Sequence, residues 1–290
     1  MKSDRSKATA TLVSSMLIFG TIGVIRRYIS LPSAFLAFAR GLIGGGFLFA
    51  FTSLSGKGKG EKIDRKSLVL LIVSGSLIGF NWMLLFESYN YTTVAVATLC
   101  YYMQPTVVVL LSPLVFKERL TTKRSVCAAV AVVGMALVSG VLEGSRNTDI
   151  RGVLFGLGAA LLYATVVMMN KKITGVNAYR KTTIQLVSAG AVMIPYLLLT
   201  DGFNGVEFSA TSVVLLLVLG IIHTGIAYVM YFGSMADLKV QTVAILSYID
   251  PVSATLFSAF ILKEPLSLLS VIGAVMIIGS AIISELTEGK

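Results

Sequence analysis

Asp250 stands at the centre of Val240–Leu262, a stretch that holds no other acid or base. A carboxylate at that depth in an apolar segment is expensive and usually functional. It is the first candidate to hold a cationic group of a ligand, and proton coupling is the alternative use of the same group. Gln104 lies in a second uncharged stretch, Ser88 to Phe116, and His223, the single histidine, in a third, Phe208 to Ala236. Imidazole titrates near neutral pH, so His223 is a candidate ligand contact or relay. Trp82, Tyr101, Tyr102, Tyr228 and Tyr248 are candidates for an aromatic-lined surface. Trp82, Tyr101, Gln104, His223, Tyr248 and Asp250 form the candidate substrate set. Arg40 and Glu87 fall in the same half of their segments and form a candidate gating pair. His223 and Asp250 would serve as base and orienting partner in an intramembrane enzyme. No nucleophile or metal-ligand cluster accompanies them, so no catalytic residue, metal or cofactor is assigned.

The elements that must position these residues follow from composition. The chain has 290 residues, 56% apolar, 13% charged, with a mean hydropathy of +0.86. Soluble domains carry about 25% charged residues, so this chain lacks the material for a water-facing surface. A net charge of +10 suggests nucleic acid at first sight. The basic residues instead sit in short clusters between apolar runs, as in membrane loops, and no nucleic-acid partner is expected. Cys100 and Cys127 both lie inside apolar runs and read as packing residues. Gly56, Gly58 and Gly60 sit among lysines, but the phosphate-loop pattern is missing, and nothing suggests nucleotide-driven pumping.

A membrane helix needs about 20 apolar residues. Measuring the gaps between charges gives Ala8–Ile25, Ser33–Ser53, Ser67–Phe86, one within Ser88–Phe116, Ser125–Leu142, Gly152–Asn170, Thr182–Thr200, one within Phe208–Ala236, Val240–Leu262 and Pro265–Ser284. These ten spans predict an all-α integral membrane protein. With the N-terminus inside, 18 of the 24 Lys and Arg fall on the cytoplasmic side and five outside, Arg40 being within a span. That asymmetry predicts both termini in the cytoplasm, in the plasma membrane or bacterial inner membrane.

Gly75–Leu120 written over Ile221–Leu266, without a gap, gives 11 identities in 46 positions. They include Tyr102 with Tyr248, Pro105 with Pro251, Lys117 with Lys263 and Glu118 with Glu264. Gln104 and Asp250 are equivalent positions. The chain reads as two five-helix halves, 8–142 and 151–285. Five is odd, so the halves are predicted to be inverted, an arrangement characteristic of secondary transporters with a midplane site. Pro105 and Pro251, mid-span, are expected to kink their helices and turn backbone toward a cavity. That cavity is expected between spans 3, 4, 8 and 9.

These features resemble the drug/metabolite transporter superfamily, in particular its ten-span EamA-type members. Pro105 with Glu118, and Pro251 with Glu264, carry the resemblance, each glutamate ending its span before a Leu. Glu118, Glu264 and the two prolines are therefore expected in structural or gating roles. The resemblance implies export or exchange of small metabolites, often amino acids or related compounds, through a central cavity. Asp250 directly before the second proline is not a fixed part of that pattern. The expected partners are a small-molecule substrate and the lipid bilayer, and the oligomeric state is not legible. An intramembrane enzyme and a non-transporting sensor or scaffold are the rival classes.

Overall fold

The computed structural model describes residues 2–56, 63–116, 122–138, 149–173, 175–200, 202–204, 206–235, 238 and 246–288. Its regular elements are α1 (Lys2–Gly20), α2 (Ile22–Arg27), α3 (Ser33–Ser55), α4 (Arg65–Tyr91), α5 (Val94–Tyr101), α6 (Gln104–Phe116) and α7 (Thr122–Val138). After these come α8 (Ile150–Lys171), α9 (Ala178–Leu199), α10 (Ala210–Leu217), a π-helical segment (Val218–Ile226), α11 (Ala227–Met235), α12 (Ile249–Ile261) and α13 (Leu268–Glu288). Among the described residues, six helical stretches are long and apolar enough to cross a membrane, and shorter apolar helices accompany them. Lipid offers no hydrogen bonds to an open backbone, which leaves helices as the way to satisfy it.

Helix starts carry polar caps. The Asp64 carboxylate accepts from the Ser67 amide at 3.0 Å, and Thr93, Asp149, Asn177 and Ser209 cap α5, α8, α9 and α10 in the same way. These side chains satisfy backbone donors that a helix start leaves open. Both Asp64 and Asp149 hold their carboxyls below the ordinary carboxylate value. Hydrogen bonds from Ser67 do so for Asp64, and from Arg151 for Asp149. Large apolar side chains remain exposed around the bundle, among them Leu54, Leu114, Leu199, Phe260 and Leu268. Such a surface suits hydrocarbon rather than water, and the chain is a multi-pass membrane protein.

Small residues set the helix spacing. A side chain at Gly41 of α3 would come within 2.6 Å of the Gly190 backbone nitrogen of α9. Gly75 and Gly79 of α4 meet the Gln185 and Ala189 carbonyls on another face of α9, at 2.5 and 2.6 Å for the same imagined atom. The helix α9 is thus gripped between α3 and α4, backbone against backbone. Around this trio pack α8 on α4, the π-helical segment on α3, and α1 on α11 and α12.

The two expected proline kinks are full breaks. The chain turns at Tyr102–Met103 before α6 and at Tyr248 before α12, so Pro105 and Pro251 occupy the first turns of new helices. There a missing N–H costs no hydrogen bond. A third break, at Thr21, divides the first span into α1 and α2, where an unbroken helix was expected.

Candidate functional site

The breaks meet at a cavity of about 200 Å³ inside the bundle. Its wall comes from α1 and α2 (Met16 to Gly23), α3 (Arg40), α4 (Trp82, Leu85, Tyr89), α5 and α6 (Thr98, Tyr101, Tyr102, Gln104), α8 (Tyr163), α11 (Tyr228, Tyr231), and residues Ser247 to Ala254 at and before α12. The expectation of a cavity between spans 3, 4, 8 and 9 is therefore too narrow. Elements from the first, second and sixth spans contribute as well. Gly20, at the α1 break, packs directly on Ser253 and the Asp250 carbonyl, which seats this break against α12.

Arg40 is 3% exposed. Its Nε donates to Thr224 Oγ1 at 2.7 Å, and the Thr224 hydroxyl donates to the Leu219 carbonyl at 3.0 Å. The Thr224 proton is therefore committed, leaving the oxygen as an acceptor for the guanidinium. The Leu219 bond spans five residues within the π-helical segment, a local form found often at functional sites. The guanidinium carbon sits 4.3 Å from the Trp82 ring centroid and 5.8 Å from that of Phe86. A desolvated cation over an aromatic face gains about 2 kcal/mol. The Nη atoms of Arg40 make no hydrogen bond or ion pair among the described residues.

Across the wall, Asp250 Oδ2 accepts from the Tyr102 hydroxyl at 2.5 Å, while Oδ1 has no partner among the described residues. Gln104 Oε1 is buried with no hydrogen-bond partner. Tyr102 meets Tyr101 edge-on at 5.7 Å between centroids, and Tyr101 lies 5.7 Å from Tyr163. Phe19 and Tyr228 make a further edge contact at 5.4 Å. The cavity combines one buried cation, one carboxylate, a spare amide oxygen and an aromatic lining.

Of the residues singled out in the sequence, Trp82, Tyr101, Gln104, Asp250 and Arg40 converge on this wall. Tyr248 lies just behind it, 6.3 Å from the Tyr102 ring. His223 is 3% exposed and is not among the lining residues. Its Nε2 bonds Thr21 Oγ1 at 2.8 Å and its Nδ1 meets the Val218 carbonyl at 3.1 Å, tying the π-helical segment to the break at Thr21. The Arg40–Glu87 pair does not form: Arg40 turns its Nε to Thr224, and Glu87 accepts from Asn90 at 3.1 Å. Tyr163 and Thr224 were not singled out. Neither has a partner visible in sequence.

A second polar cluster closes one end of the bundle. Arg27 donates to Glu264 at 3.1 Å and to the Thr92 carbonyl at 2.6 Å. The other Glu264 oxygen accepts from the Val94 amide at 2.8 Å, so one carboxylate joins the ends of α2, α5 and α12. Beside it, Arg26 donates to the Ile29 carbonyl at 2.7 Å, to Ser33 at 3.2 Å and to Asn90 at 3.3 Å. Glu118, the counterpart of Glu264 in the repeat, lies outside the described residues.

The family model of EamA-like transporters matches this chain twice, over residues 6–140 and 150–285. The chain belongs to the EamA-like transporter family. Among its relatives is an uncharacterized transporter, YxxF, of Bacillus subtilis, 30% identical over 99% of this chain and 93% of that protein. A probable amino-acid metabolite efflux pump of Salmonella typhimurium is 29% identical over 60% of this chain and 61% of its own length. Protein PecM of Dickeya dadantii is 26% identical over 74% and 73% respectively. A crystal structure covering 97% of both chains superposes with a TM-score of 0.65 at 20% identity, which speaks to fold. Like its relatives, this EamA-family chain is a membrane transporter of the drug/metabolite superfamily.

Proposed function

We propose that the protein is a secondary transporter exporting small amphipathic metabolites, such as amino acids or related compounds, by alternating access around the Arg40–Asp250 cavity. The observation that carries this reading is the cavity itself, where two opposite charges and an unpartnered amide oxygen line a small space inside a membrane bundle. Buried charges left without an ion pair are costly and fit a site whose missing partner is the cargo. The probable amino-acid metabolite efflux pump of Salmonella, among the relatives, has a named cargo class that fits this reading.

The mechanism takes the chain as ten crossings in two inverted halves, 8–142 and 151–285, with both termini cytoplasmic. In support, Arg27 bonds Thr92 and Glu264, the Asp149 amide bonds the Tyr91 carbonyl, and Phe35 packs on Phe203 and Phe208. These contacts gather alternate interruptions of a ten-crossing chain at one end. Arg27 and Glu264 form the closure at that end, assigned to the outside, and release of cargo outward requires their separation. The substrate's own gradient is a sufficient drive for such a device.

Counterflow in proteoliposomes tests the reading. Vesicles loaded with an unlabelled amino acid should accumulate its labelled form above protein-free controls for at least one member of a twenty-amino-acid panel. If no amino acid exchanges above the controls, the reading is overturned.

A further inference from the structure

The polar inventory of the cavity wall is specific enough to name the charge pattern of its ligand. Among the lining residues Arg40 is the one cation and Asp250 the one anion. Neither makes an ion pair among the described residues. Each is held by a single neutral partner, Thr224 on Arg40 and Tyr102 on Asp250, which fixes its direction without neutralising it. What remains is asymmetric. Arg40 offers spare N–H donors on both Nη atoms, whose planar fork matches a carboxylate. Asp250 Oδ1 and the buried Gln104 Oε1 are spare acceptors, and an ammonium group carries donors and no acceptor.

We propose that this cavity recognises a small zwitterion, Arg40 taking its carboxylate and Asp250 with Gln104 its ammonium group, an assignment that rests on reading the cavity as the transport site. A lone anion would leave Asp250 uncompensated and a lone cation would leave Arg40 uncompensated. Each outcome strands a charge away from water. A dianion such as a dicarboxylate or phosphate ester would add repulsion from Asp250. The volume of about 200 Å³ lies below the roughly 300–1,000 Å³ of drug-sized sites. It selects a single small metabolite. The rings of Trp82, Tyr101, Tyr163 and Tyr228 leave an apolar, flat-walled remainder for its side chain.

Trp82 is the chain's single tryptophan and lies directly under the Arg40 guanidinium, so its fluorescence reports on the site. The probes are matched sets: leucine with isoamylamine and isocaproate, and phenylalanine with phenethylamine and hydrocinnamate. Each set keeps one side chain and removes one charge at a time. Binding to the purified full chain in nanodiscs is read by Trp82 fluorescence and by calorimetry. In at least one set the zwitterion should bind roughly tenfold or more tightly than either single-charge analogue, the loss expected for one charge-assisted contact. Arg40→Gln should bring the zwitterion down to the level of its amine, and Asp250→Asn down to the level of its acid. If Arg40→Gln is not recovered folded, Thr224→Val, which removes the brace on Nε together with the hydroxyl's own bond to the Leu219 carbonyl, should weaken zwitterion and acid but not amine.

An amine or acid binding as tightly as its zwitterion in both sets overturns the proposal. So do substitutions that weaken all three probes alike, or an absence of binding by every probe. Counterflow of the same probes separates this result from the transport reading. Flux of some metabolite without zwitterion preference sinks the assignment and spares transport. Zwitterion preference without any flux does the reverse.

Discussion

The arginine of α3 and the two arginines at the end of α2 answer the same cost in opposite ways. Arg26 and Arg27 spread their donors over the Ile29 and Thr92 carbonyls, Ser33, Asn90 and Glu264. Arg40, as buried as Arg26, is given one hydroxyl and two aromatic faces. A guanidinium that donates to several protein oxygens binds helix ends together. One braced at Nε and left open at both Nη atoms is preorganised for something that arrives later. The same contrast separates the carboxylates. Both Glu264 oxygens are engaged by this chain, whereas Asp250 has one committed to Tyr102 and one spare.

The largest expected effect is all-or-none and concerns which side the Arg27 end faces. In a background without Cys100 and Cys127, cysteines at Lys66 and Asn204 should react with an impermeant thiol reagent from opposite sides, Lys66 from the cytoplasm. Labelling of both from one side would break the inverted arrangement. Next in size is an exchange of phenotypes between the arginines. Arg40→Gln should lower counterflow roughly a hundredfold, as expected when a charged contact to cargo is lost, with little change in thermal unfolding because the lost Trp82 and Thr224 contacts are offset by removing a buried charge that has no ion pair. Arg26→Gln should lower stability by about 2 kcal/mol while counterflow per folded molecule stays near wild type. Equal effects on both readouts would erase the distinction.

A smaller change is expected at Glu264→Gln. Its partner Arg27 is 33% exposed, so the pair contributes about 1 kcal/mol or less to stability. Loosening the closure should still raise outside labelling of a cysteine at Thr98, on the cavity wall, by roughly fivefold. Unchanged labelling would make the cluster a brace only. The smallest effect belongs to the cap at Asp64. Its carboxyl is depressed in the fold, so its contribution is present above about pH 4 and is lost as pH falls through the lower folded value. Asp64→Ala should therefore lower the unfolding temperature slightly at neutral pH and progressively less as the pH falls through the folded value.

Helix bounds were legible in the sequence, and azimuth was not. Gaps between charges predicted Ser33–Ser53 for α3, which runs Ser33–Ser55, and Gly152–Asn170 for α8, which runs Ile150–Lys171. Glu87 was expected as a boundary, yet α4 continues to Tyr91 because Asn90, one turn on, donates to its carboxylate. Asp250 was singled out as the lone carboxylate of an apolar stretch, and Gln104 as the position equivalent to it when the two segments are written one over the other. Arg40 with Glu87 failed on azimuth. Two groups at one height face each other only if their helices are rotated to suit, and that rotation is set by where glycines such as Gly41 and Gly75 let α3 and α4 close on α9. The π-helical segment left no trace, since an apolar run reads alike in either winding. Its extra residue places Thr224 toward Arg40 and His223 toward Thr21.

The glycine seam has a mechanical meaning. Helices whose backbones touch have no layer of side chains to slide on, so α3, α9 and α4 form a chassis that moves as one piece. Arg40 and Trp82 are bolted to it. Asp250 is mounted elsewhere, on α12, which packs against α1 and α5. In the proposed transport cycle, a molecule gripping Arg40 with one end and Asp250 with the other would bridge chassis and arm and act as the clutch between them.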